Sequence, residues 1–428
     1  MIRQRQTKKE ILVFADWVGL GGPTPVGVLC ATQLRGKEVF EFEYDADWLK
    51  TNAVLLLDPD LVHFQGRQYP PLDKSNFGLY LDSMPDRWGK QLMQRREAVL
   101  ARIDGRPPKH FLESDFLLGV YDLQRIGGLR FKFAGIPDFL NADHQLAAPP
   151  WTRLRDLERA CWELENETWN NDQDQLEWLN VLLAPGSSLG GARPKAGVTD
   201  QLDRLWIAKF PSQTDTFNVG AWEMVLNKLG RDAGLNMAEG QLLKLGNANH
   251  TFLSRRFDRT TSKQRIHFAS AMTLLQRKDG DDYSSGASYL ELVAFIMRHG
   301  ADPLKDLEEL WRRIVFSILV RNTDDHLRNH GFILTEHGWI LSPAFDVNPN
   351  PFGYGLKLNI SENDNSLDTE LALSVSGHFR LKPDKAKSIL NNIAKAVARW
   401  KTVAETFGLD KNQIQFMERC FQPTTNTQ

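Results

Sequence analysis

A cluster of polar side chains follows an apolar, helix-like run at residues 310–320. The stretch reads Arg-Asn-Thr-Asp-Asp-His-Leu-Arg-Asn-His-Gly and contains Asp324, Asp325, His326, Asn329 and His330. A packed helix gains no stability by ending in so many carboxylates, imidazoles and carboxamides, because burying such groups without partners is costly. The cluster therefore predicts a reactive loop.

The spacing within and after this cluster indicates phosphoryl transfer. In protein kinases a metal-binding Asn follows the catalytic Asp by five residues, and a second metal-binding Asp lies beyond the next hairpin. Here Asn329 follows Asp324 by five residues, and Asp346 comes after two apolar, strand-like segments at residues 331–334 and 339–341. Transfer from ATP requires a base for the substrate hydroxyl and oxygen ligands for magnesium, which these residues could supply.

Three other residues of the loop leave alternatives open. Asp325 is the rival for the base, although its spacing of four residues to Asn329 fits the kinase pattern less well. His326 and His330 are four residues apart, as two zinc ligands on a helix would be. A metal-dependent hydrolase that uses the same carboxylates together with His326 is a second interpretation of the cluster. Leu327 stands where a zinc protease needs glutamate. We therefore expect His326 to orient the loop and His330 to be structural.

A lysine and a glutamate match the other half of a kinase site. Residues 204–210 alternate like a strand that carries Lys209 near its end, and the helix-like residues 220–230 carry Glu223 near their start. A buried ammonium needs an anionic partner, and in kinases the strand lysine pairs with a helix glutamate. The alternative is that Lys209 points into solvent at the strand end. We expect the ion pair, because the order from strand to helix is the one that the mechanism demands.

A loop of small and cationic residues is the candidate phosphate loop. It contains Gly190, Gly191, Ala192, Arg193, Pro194 and Lys195. Small residues let backbone N–H groups approach phosphate oxygens, and the two cations add charge. The loop is neither a Walker loop nor the glycine pattern of protein kinases, so a plain surface loop is the alternative.

The composition is that of an ordinary globular chain of 428 residues, long enough for two or three domains. Lys and Arg number 52 against 54 Asp and Glu, a net charge of −2, so no global charge favours nucleic acid or membrane. The three cysteines lie far apart and outside any paired motif, which is typical of reduced thiols. No segment approaches the roughly 18 apolar residues of a membrane span. We predict a cytoplasmic protein with no membrane partner.

Strand-like patterns precede helical ones along the chain. Residues 10–60 and the region after residue 195 read as strands and turns, whereas the chain is mainly helical from about residue 287, including residues 385–406. We predict an α+β fold in which an N-terminal β-rich domain precedes a two-lobed protein-kinase-like core. The predicted domains are the β-rich domain at residues 1–150, the N-lobe with the phosphate loop at residues 151–286, and the helical C-lobe with the catalytic loop at residues 287–428.

Several motifs make the chain resemble the HipA-like serine/threonine kinases, which are the toxins of bacterial type II toxin–antitoxin pairs. The motifs are Ser188-Leu-Gly-Gly-Ala-Arg-Pro-Lys195, Lys209-Phe-Pro211, Arg256-Phe-Asp-Arg259, Asn322-Thr-Asp-Asp-His-Leu-Arg-Asn329 and Pro343-Ala-Phe-Asp346. With weaker similarity near Leu81-Asp-Ser-Met-Pro-Asp-Arg-Trp-Gly89, the resemblance spans about residues 10–400.

The resemblance implies an ATP- and Mg2+-dependent protein kinase. It makes Asp324 the base, Asn329 and Asp346 the metal ligands, and Lys209 a phosphate-binding residue, while the loop of Gly190 to Lys195 covers the phosphates. It also makes Ser188 the autophosphorylation site, where a phosphate would add about two negative charges and oppose ATP binding. The remaining residues that we assign to the predicted ATP site are Arg255, Arg256, Phe257, His326 and Phe345. Arg255 to Phe257 could join two lobes near the adenine or form a charged turn.

The resemblance further implies partners. These are a small DNA-binding antitoxin of HipB type, contact with DNA only through that complex, and a protein substrate among translation proteins, such as an aminoacyl-tRNA synthetase. Such a toxin would be linked to bacterial persistence. The alternative is an inactive kinase-like scaffold that acts with the antitoxin as a co-repressor, which the complete set of predicted catalytic residues disfavours. Asp325 stands where the family often has a small residue, and its role is open.

Overall fold

The computed structural model describes residues 8–52, 55–167, 171–183, 191 and 193–421. The chain divides into two units. The first unit comprises Met1–Ile207 and Asp258–Ala269, and the second comprises Ala208–Phe257 and Ser270–Gln428. The domain boundaries predicted at residues 150 and 286 stay predictions.

An antiparallel sheet opens the first unit. Its strands are β1 (Lys8–Ala15), β2 (Thr24–Leu34), β3 (Lys37–Tyr44) and β4 (Leu129–Phe133), in the order β3-β2-β1-β4. Ile11, Val13 and Ala15 are fully buried while their neighbours are partly exposed, because alternate residues of a strand face opposite sides. The glycine-rich segment between β1 and β2 connects an antiparallel pair.

Helices and two further strands complete the first unit. The helices are α1 (Ala46–Thr51), α2 (Gly78–Leu81), α3 (Arg87–Ile103), α4 (Glu113–Gly119), α5 (Leu154–Asn166) and α6 (Asp172–Leu183). Short 3-10 turns lie at Asp122–Gln124, His144–Leu146 and Trp151–Arg153. Strand β5 (Lys195–Thr199) follows, and β6 (Leu205–Lys209) crosses into the second unit between Ile207 and Ala208.

The second unit begins with strands and is then mainly helical. Its strands are β7 (Gly240–Leu243), β8 (Thr251–Arg255), the end of β9 (Phe268–Ser270), β10 (Gly331–Thr335) and β11 (Gly338–Leu341). Its helices are α7 (Val219–Asp232), α8 (Ala271–Leu274), α9 (Tyr289–His299), α10 (Pro303–Leu319), α11 (Thr369–Ser374), α12 (Pro383–Val397), α13 (Trp400–Thr406) and α14 (Lys411–Met417). Short 3-10 turns lie at Tyr283–Ser285, Leu327–Asn329, Ser376–Phe379 and Glu418–Cys420.

The predicted order of a β-rich N-terminal part and a mainly helical C-terminal part is confirmed, and the fold is α+β. Residues 385–406 are helical as predicted, and the structure divides them between α12 and α13. The break lets the ring of Trp400 stack on that of Phe421, with centroids 4.3 Å apart. Among the described residues, no helix has the length and apolar character needed to cross a membrane.

Helix α10 forms the centre of the second unit. Asp302 caps its start through a hydrogen bond from the Lys305 N–H, and Pro303 occupies the first turn, where its missing N–H costs nothing. Trp311 lies on the buried face with no exposed surface, and its Nε1 donates to the Ala372 carbonyl at 3.0 Å. Large apolar residues on this face fix α10 in place.

Replacing Trp311 tests this packing. We expect Trp311→Ala to lower the free energy of unfolding of the second unit by about 3–5 kcal/mol, because it leaves a large cavity and an unpaired carbonyl. Urea unfolding monitored by circular dichroism measures the loss of unfolding free energy. Leu304→Ala on the same helix is the control, since Leu304 is 67% exposed and its change should stay within about 0.5 kcal/mol. Equal losses of unfolding free energy in the two variants would contradict the burial of Trp311 in the core of the second unit.

Candidate active site

The loop that carries the predicted base begins where α10 ends. Arg321 adopts a left-handed backbone with φ of 52°, and the Asn322 N–H donates to the Ser317 carbonyl at 2.9 Å. The buried Asn322 side chain donates to the Ser317 hydroxyl at 3.2 Å and accepts from the Asn348 N–H at 3.2 Å. Asn322 thus joins the helix end, the loop and the segment after β11.

Asp324 and Asn329 meet within this loop. Nδ2 of Asn329 donates to the backbone carbonyl of Asp324 at 3.0 Å, and the His326 N–H donates to the same carbonyl at 2.9 Å. Asp324 is exposed at the surface, whereas Asn329 is buried. Because the amide nitrogen of Asn329 is held by Asp324, its amide oxygen is the atom that can face a cation.

The carboxyl group of Asp324 has a pKa above its ordinary value. Displacement of water by the surrounding protein is the largest cause, even though the outer side of the residue is open to solvent. The carboxylates of Asp346 and Asp325 raise the pKa further, while His326 and Lys357 oppose the rise. A raised pKa brings a carboxylate closer to the proton affinity that suits a general base.

The hairpin formed by β10 and β11 leads to Asp346, and α10 holds that hairpin. Asp306 Oδ2 accepts from the Leu341 N–H at 2.8 Å, and Arg313 Nη2 donates to the Ser342 carbonyl at 2.6 Å. Asp346 then adopts a left-handed backbone with φ of 55°. This conformation is uncommon for residues other than glycine and recurs at functional positions.

Lys209, at the end of β6, contacts both Asp346 and helix α7. Its Nζ donates to Glu223 Oε1 at 2.6 Å and to Asp346 Oδ1 at 2.5 Å. Burial by itself lowers the pKa of Lys209, but the carboxylates of Asp346 and Glu223 outweigh burial and raise the pKa above its ordinary value. The pair that the order of strand and helix predicts is therefore present, with Lys209 in its charged form.

Asn348 connects this ion pair with the loop of the predicted base. Its Nδ2 donates to Asp346 Oδ1 at 3.1 Å, while its backbone N–H donates to the Asn322 side chain. Segments that are far apart in the sequence thus meet in the second unit: the end of β6 with Lys209, the loop with Asp324, and the segment with Asp346.

Residues 255–257 contact the segment around Asp346 through aromatic rings. The rings of Phe257 and Phe345 have centroids 5.5 Å apart. Arg255 Nη1 pairs with Glu239 Oε2 at 2.9 Å, and Arg256 is buried. The predicted contacts of these residues with adenine stay predictions.

The candidate phosphate loop is described only in part and belongs to the first unit. Ser188, Gly190 and Ala192 lie outside the described residues. The described part runs from exposed Gly191 through half-buried Arg193 to buried Pro194 and Lys195. Nζ of Lys195 donates to Asp86 Oδ2 at 2.7 Å, so its charge is compensated within the unit. The contacts of this loop with phosphates stay predictions.

Three supporting residues escaped the sequence analysis. Arg313 could have been noticed as a charge on the apolar face of α10, but nothing in the sequence distinguished Asn348 or Gly353. A Cβ atom at Gly353 would lie 1.9 Å from the Thr323 hydroxyl oxygen. Only glycine therefore allows the chain to pass so close to the residue before Asp324.

The oxygen atoms of the site fit a magnesium ion that is shared with a nucleotide. In phosphoryl-transfer sites magnesium is held by one or two carboxylates or amides together with phosphates. Asn329 offers its amide oxygen, and Asp346 offers a carboxylate that is 27% exposed. Within the described ranges, no group of three or more His, Cys, Asp or Glu side chains could hold a metal.

Comparisons with known proteins show which family and which fold the chain shares. The family model described as HipA-like C-terminal domain matches residues 187–400. A chain in the solved complex of the "Shewanella oneidensis MR-1 Toxin Antitoxin System HipA, HipB and its operator DNA" shares the fold, with a TM-score of 0.60 and 18% identity over 95% of this chain and 96% of that chain. A Haemophilus influenzae protein described as "Putative kinase" is 31% identical over 137 residues, 29% of this chain. That match covers 40% of the length of the Haemophilus protein.

A double-mutant cycle tests the buried pair of Lys209 and Glu223. We expect Lys209→Met to lower the free energy of unfolding by about 3–5 kcal/mol, because two carboxylates lose their ammonium partner. Adding Glu223→Leu to Lys209→Met should restore part of the loss, since one uncompensated charge is removed. Urea unfolding measures both variants.

Lys228→Met is the control for this cycle. Lys228 lies on α7 and pairs with Asp232, but its side chain is 46% exposed, so the change should stay within about 1 kcal/mol. If the Glu223→Leu change only added to the loss caused by Lys209→Met, the two residues would not be coupled.

Proposed function

Because the chain belongs to the family of proteins with a HipA-like C-terminal domain, we propose that it is an ATP- and Mg2+-dependent protein serine/threonine kinase. One observation carries the proposal. Nζ of Lys209 lies within hydrogen-bonding distance of both Glu223 and Asp346, in the unit that also holds Asp324 and Asn329. A lysine, a helix glutamate, a base and two oxygen ligands are the parts that phosphoryl transfer from ATP requires.

Each residue has one role in the proposed reaction. Mg-ATP would supply the γ-phosphoryl group and leave as ADP, and its metal ion would neutralise charge that develops during transfer. Lys209, kept charged and oriented by Glu223, donates to the nucleotide phosphates. Asn329 and Asp346 would hold the metal through their side-chain oxygens. Asp324 accepts the proton of the substrate hydroxyl.

Exposure and contacts support Asp324 over Asp325 as the base. A general base must come within hydrogen-bond reach of the proton that it removes, and a protein substrate presents its hydroxyl from solvent. Asp324 is exposed, whereas Asp325 is 5% exposed and accepts a hydrogen bond from the Tyr289 hydroxyl.

We further propose that the kinase acts as the toxin of a toxin–antitoxin pair. The Shewanella complex that shares its fold contains HipA, HipB and operator DNA, which supports a small DNA-binding antitoxin of HipB type as partner. Contact with DNA would then be made through the antitoxin. The proposed substrate is a translation protein, such as an aminoacyl-tRNA synthetase, in keeping with the family resemblance.

Substitution of the base tests the proposed reaction. We expect Asp324→Asn to reduce phosphate transfer at least about 100-fold, because the amide cannot accept the proton, while ATP binding stays near that of the wild type. Transfer of labelled phosphate from ATP and calorimetry of ATP binding measure the two effects. Asp384→Asn, an exposed residue of α12, is the control and should transfer phosphate at the wild-type rate.

The same assay separates the competing functions. Undiminished transfer by Asp324→Asn would assign the base to another residue. A wild-type protein that binds ATP and transfers no phosphate to any protein would favour the scaffold that acts with an antitoxin. Hydrolytic activity without nucleotide would favour the metal-dependent hydrolase.

Autophosphorylation is tested at Ser188. After incubation with Mg-ATP, we expect phosphate on Ser188 and a loss of activity that follows its occupancy, since the added charge opposes ATP phosphates. Peptide mapping by mass spectrometry locates the phosphate, and Ser188→Ala should stay unmodified and active. Ser187→Ala is the matched control and should still be modified. If Ser188 never carried phosphate, the proposed autophosphorylation would be wrong.

A further inference from the structure

The loop of the predicted base contains a second carboxylate, Asp325, whose surroundings differ from those of Asp324. We propose that Asp325 is a positioning residue: its buried carboxylate, held by Tyr289 and His330, fixes the loop that presents Asp324 to the substrate. The proposal rests on the proposed kinase function for the role of Asp324. It assigns a task to a residue of the loop whose role the sequence left open.

The contacts of Asp325 are made inside the protein. The Tyr289 hydroxyl donates to Asp325 Oδ2 at 2.6 Å, and His330 Nε2 lies 3.1 Å from the same oxygen. The rings of Tyr289 and His330 stand nearly perpendicular, at 89°, with centroids 5.7 Å apart. Asp325, Tyr289 and His330 are 5%, 0% and 1% exposed, so water does not compete with these contacts.

The partners of Asp325 are themselves fixed by other elements. Tyr289 is the first residue of α9, and its backbone N–H donates to the Asn359 carbonyl at 3.0 Å. The carbonyl of His330 accepts from the Ala271 N–H at 2.7 Å, at the start of α8. The carboxylate therefore ties the loop to α9 through Tyr289, and His330, at the end of the same loop, is held at α8 through its backbone. An anchor of this kind limits the positions that the neighbouring Asp324 can occupy.

Electrostatics favour the charged form of Asp325. Burial by itself raises the pKa of Asp325, but the His330 imidazole and the Tyr289 hydroxyl outweigh burial and hold the pKa below its ordinary value. A buried carboxylate that lost these contacts would be strongly destabilised. The orientation in which Asp325 points inward and Asp324 points outward is therefore the stable one.

The same contacts prevent Asp325 from acting as the base. Oδ2 is occupied by Tyr289, and the residue is almost withdrawn from solvent, so it has no access to the hydroxyl of a protein substrate. A catalytic loop works only when the base is held close to its productive position, and a shift of about 1 Å can cost 100-fold in rate. The function of Asp325 is thus expressed through Asp324.

Three variants test the proposal. Asp325→Leu removes the anchor and should lower kcat about 100-fold while the KM for ATP changes less than about threefold, because the base is displaced and the nucleotide contacts remain. Asp325→Asn keeps an oxygen that accepts from Tyr289 and should keep kcat within about tenfold of the wild type, the loss reflecting a weaker, uncharged hydrogen bond. Tyr289→Phe removes one hydroxyl and should give an intermediate kcat.

Tyr80→Phe is the matched control. Tyr80 is also fully buried, but its hydroxyl has no hydrogen-bond partner among the described residues, and it belongs to the first unit. This variant should keep the wild-type kcat. The contrast between Tyr289→Phe and Tyr80→Phe separates the loss of this anchor from the loss of a buried hydroxyl in general.

Hydrogen exchange gives a readout that does not need kinase activity. Peptides covering residues 322–330 should exchange faster in Asp325→Leu and Tyr289→Phe, whereas peptides of β1 to β4 should not change. If Asp325→Asn bound ATP but were as inactive as Asp324→Asn, Asp325 would take part in the chemistry and the proposal would be wrong. Wild-type kcat and wild-type exchange in Asp325→Leu would also overturn it. If the wild-type protein transferred no phosphate, the proposed kinase function would be wrong. Hydrogen exchange in the variants would still show whether Asp325 anchors the loop.

Discussion

The second unit depends on a largely buried cation, the Lys209 ammonium, that is shared by two carboxylates. Nζ of Lys209 lies 2.6 Å from Glu223 and 2.5 Å from Asp346, and its side chain is 12% exposed. Removing an ammonium from water is costly unless opposite charges and hydrogen bonds compensate it. Compensation requires β6, α7 and the segment after β11 to meet at one point. The same contact therefore holds three parts of the fold together and assembles the residues that the proposed phosphoryl transfer needs.

Helix α10 fixes the position of the segment that carries Asp346. Glu309 Oε1 accepts from Arg313 Nε at 3.0 Å and from the Asn236 N–H at 3.1 Å, and Arg313 also donates to the Ser342 carbonyl. The Asn236 carbonyl in turn accepts from the Ala344 N–H at 2.7 Å. Buried charged side chains that form hydrogen bonds with backbone groups fix the position of those groups. The segment that ends in Asp346 is thus held from α10 and from the residues before β7.

Two adjacent carboxylates in one loop differ in pKa because their surroundings differ. Asp324 and Asp325 are chemically identical and one residue apart, yet the pKa of Asp324 is raised and that of Asp325 is lowered. Asp324 faces solvent near the carboxylate of Asp346, whereas Asp325 faces the Tyr289 hydroxyl and the His330 imidazole. Opposite shifts of this kind are how a protein assigns different tasks to equal side chains.

The sequence by itself determined the α+β order, because the periodicity of apolar residues distinguishes strands from helices. It also determined the spacing of Asp324, Asn329 and Asp346 and the expected partner of Lys209, because a kinase reaction requires these residue types in this order along the chain. It could not show that α12 ends before Trp400, that Asn348 joins two segments, or that Asp325 turns inward. Those features depend on contacts between residues far apart in sequence, such as Tyr289 with Asp325 across 36 positions. Local pattern carries no information about such contacts, so only the tertiary structure decided which of two neighbouring aspartates faces the solvent and which is buried as an anchor.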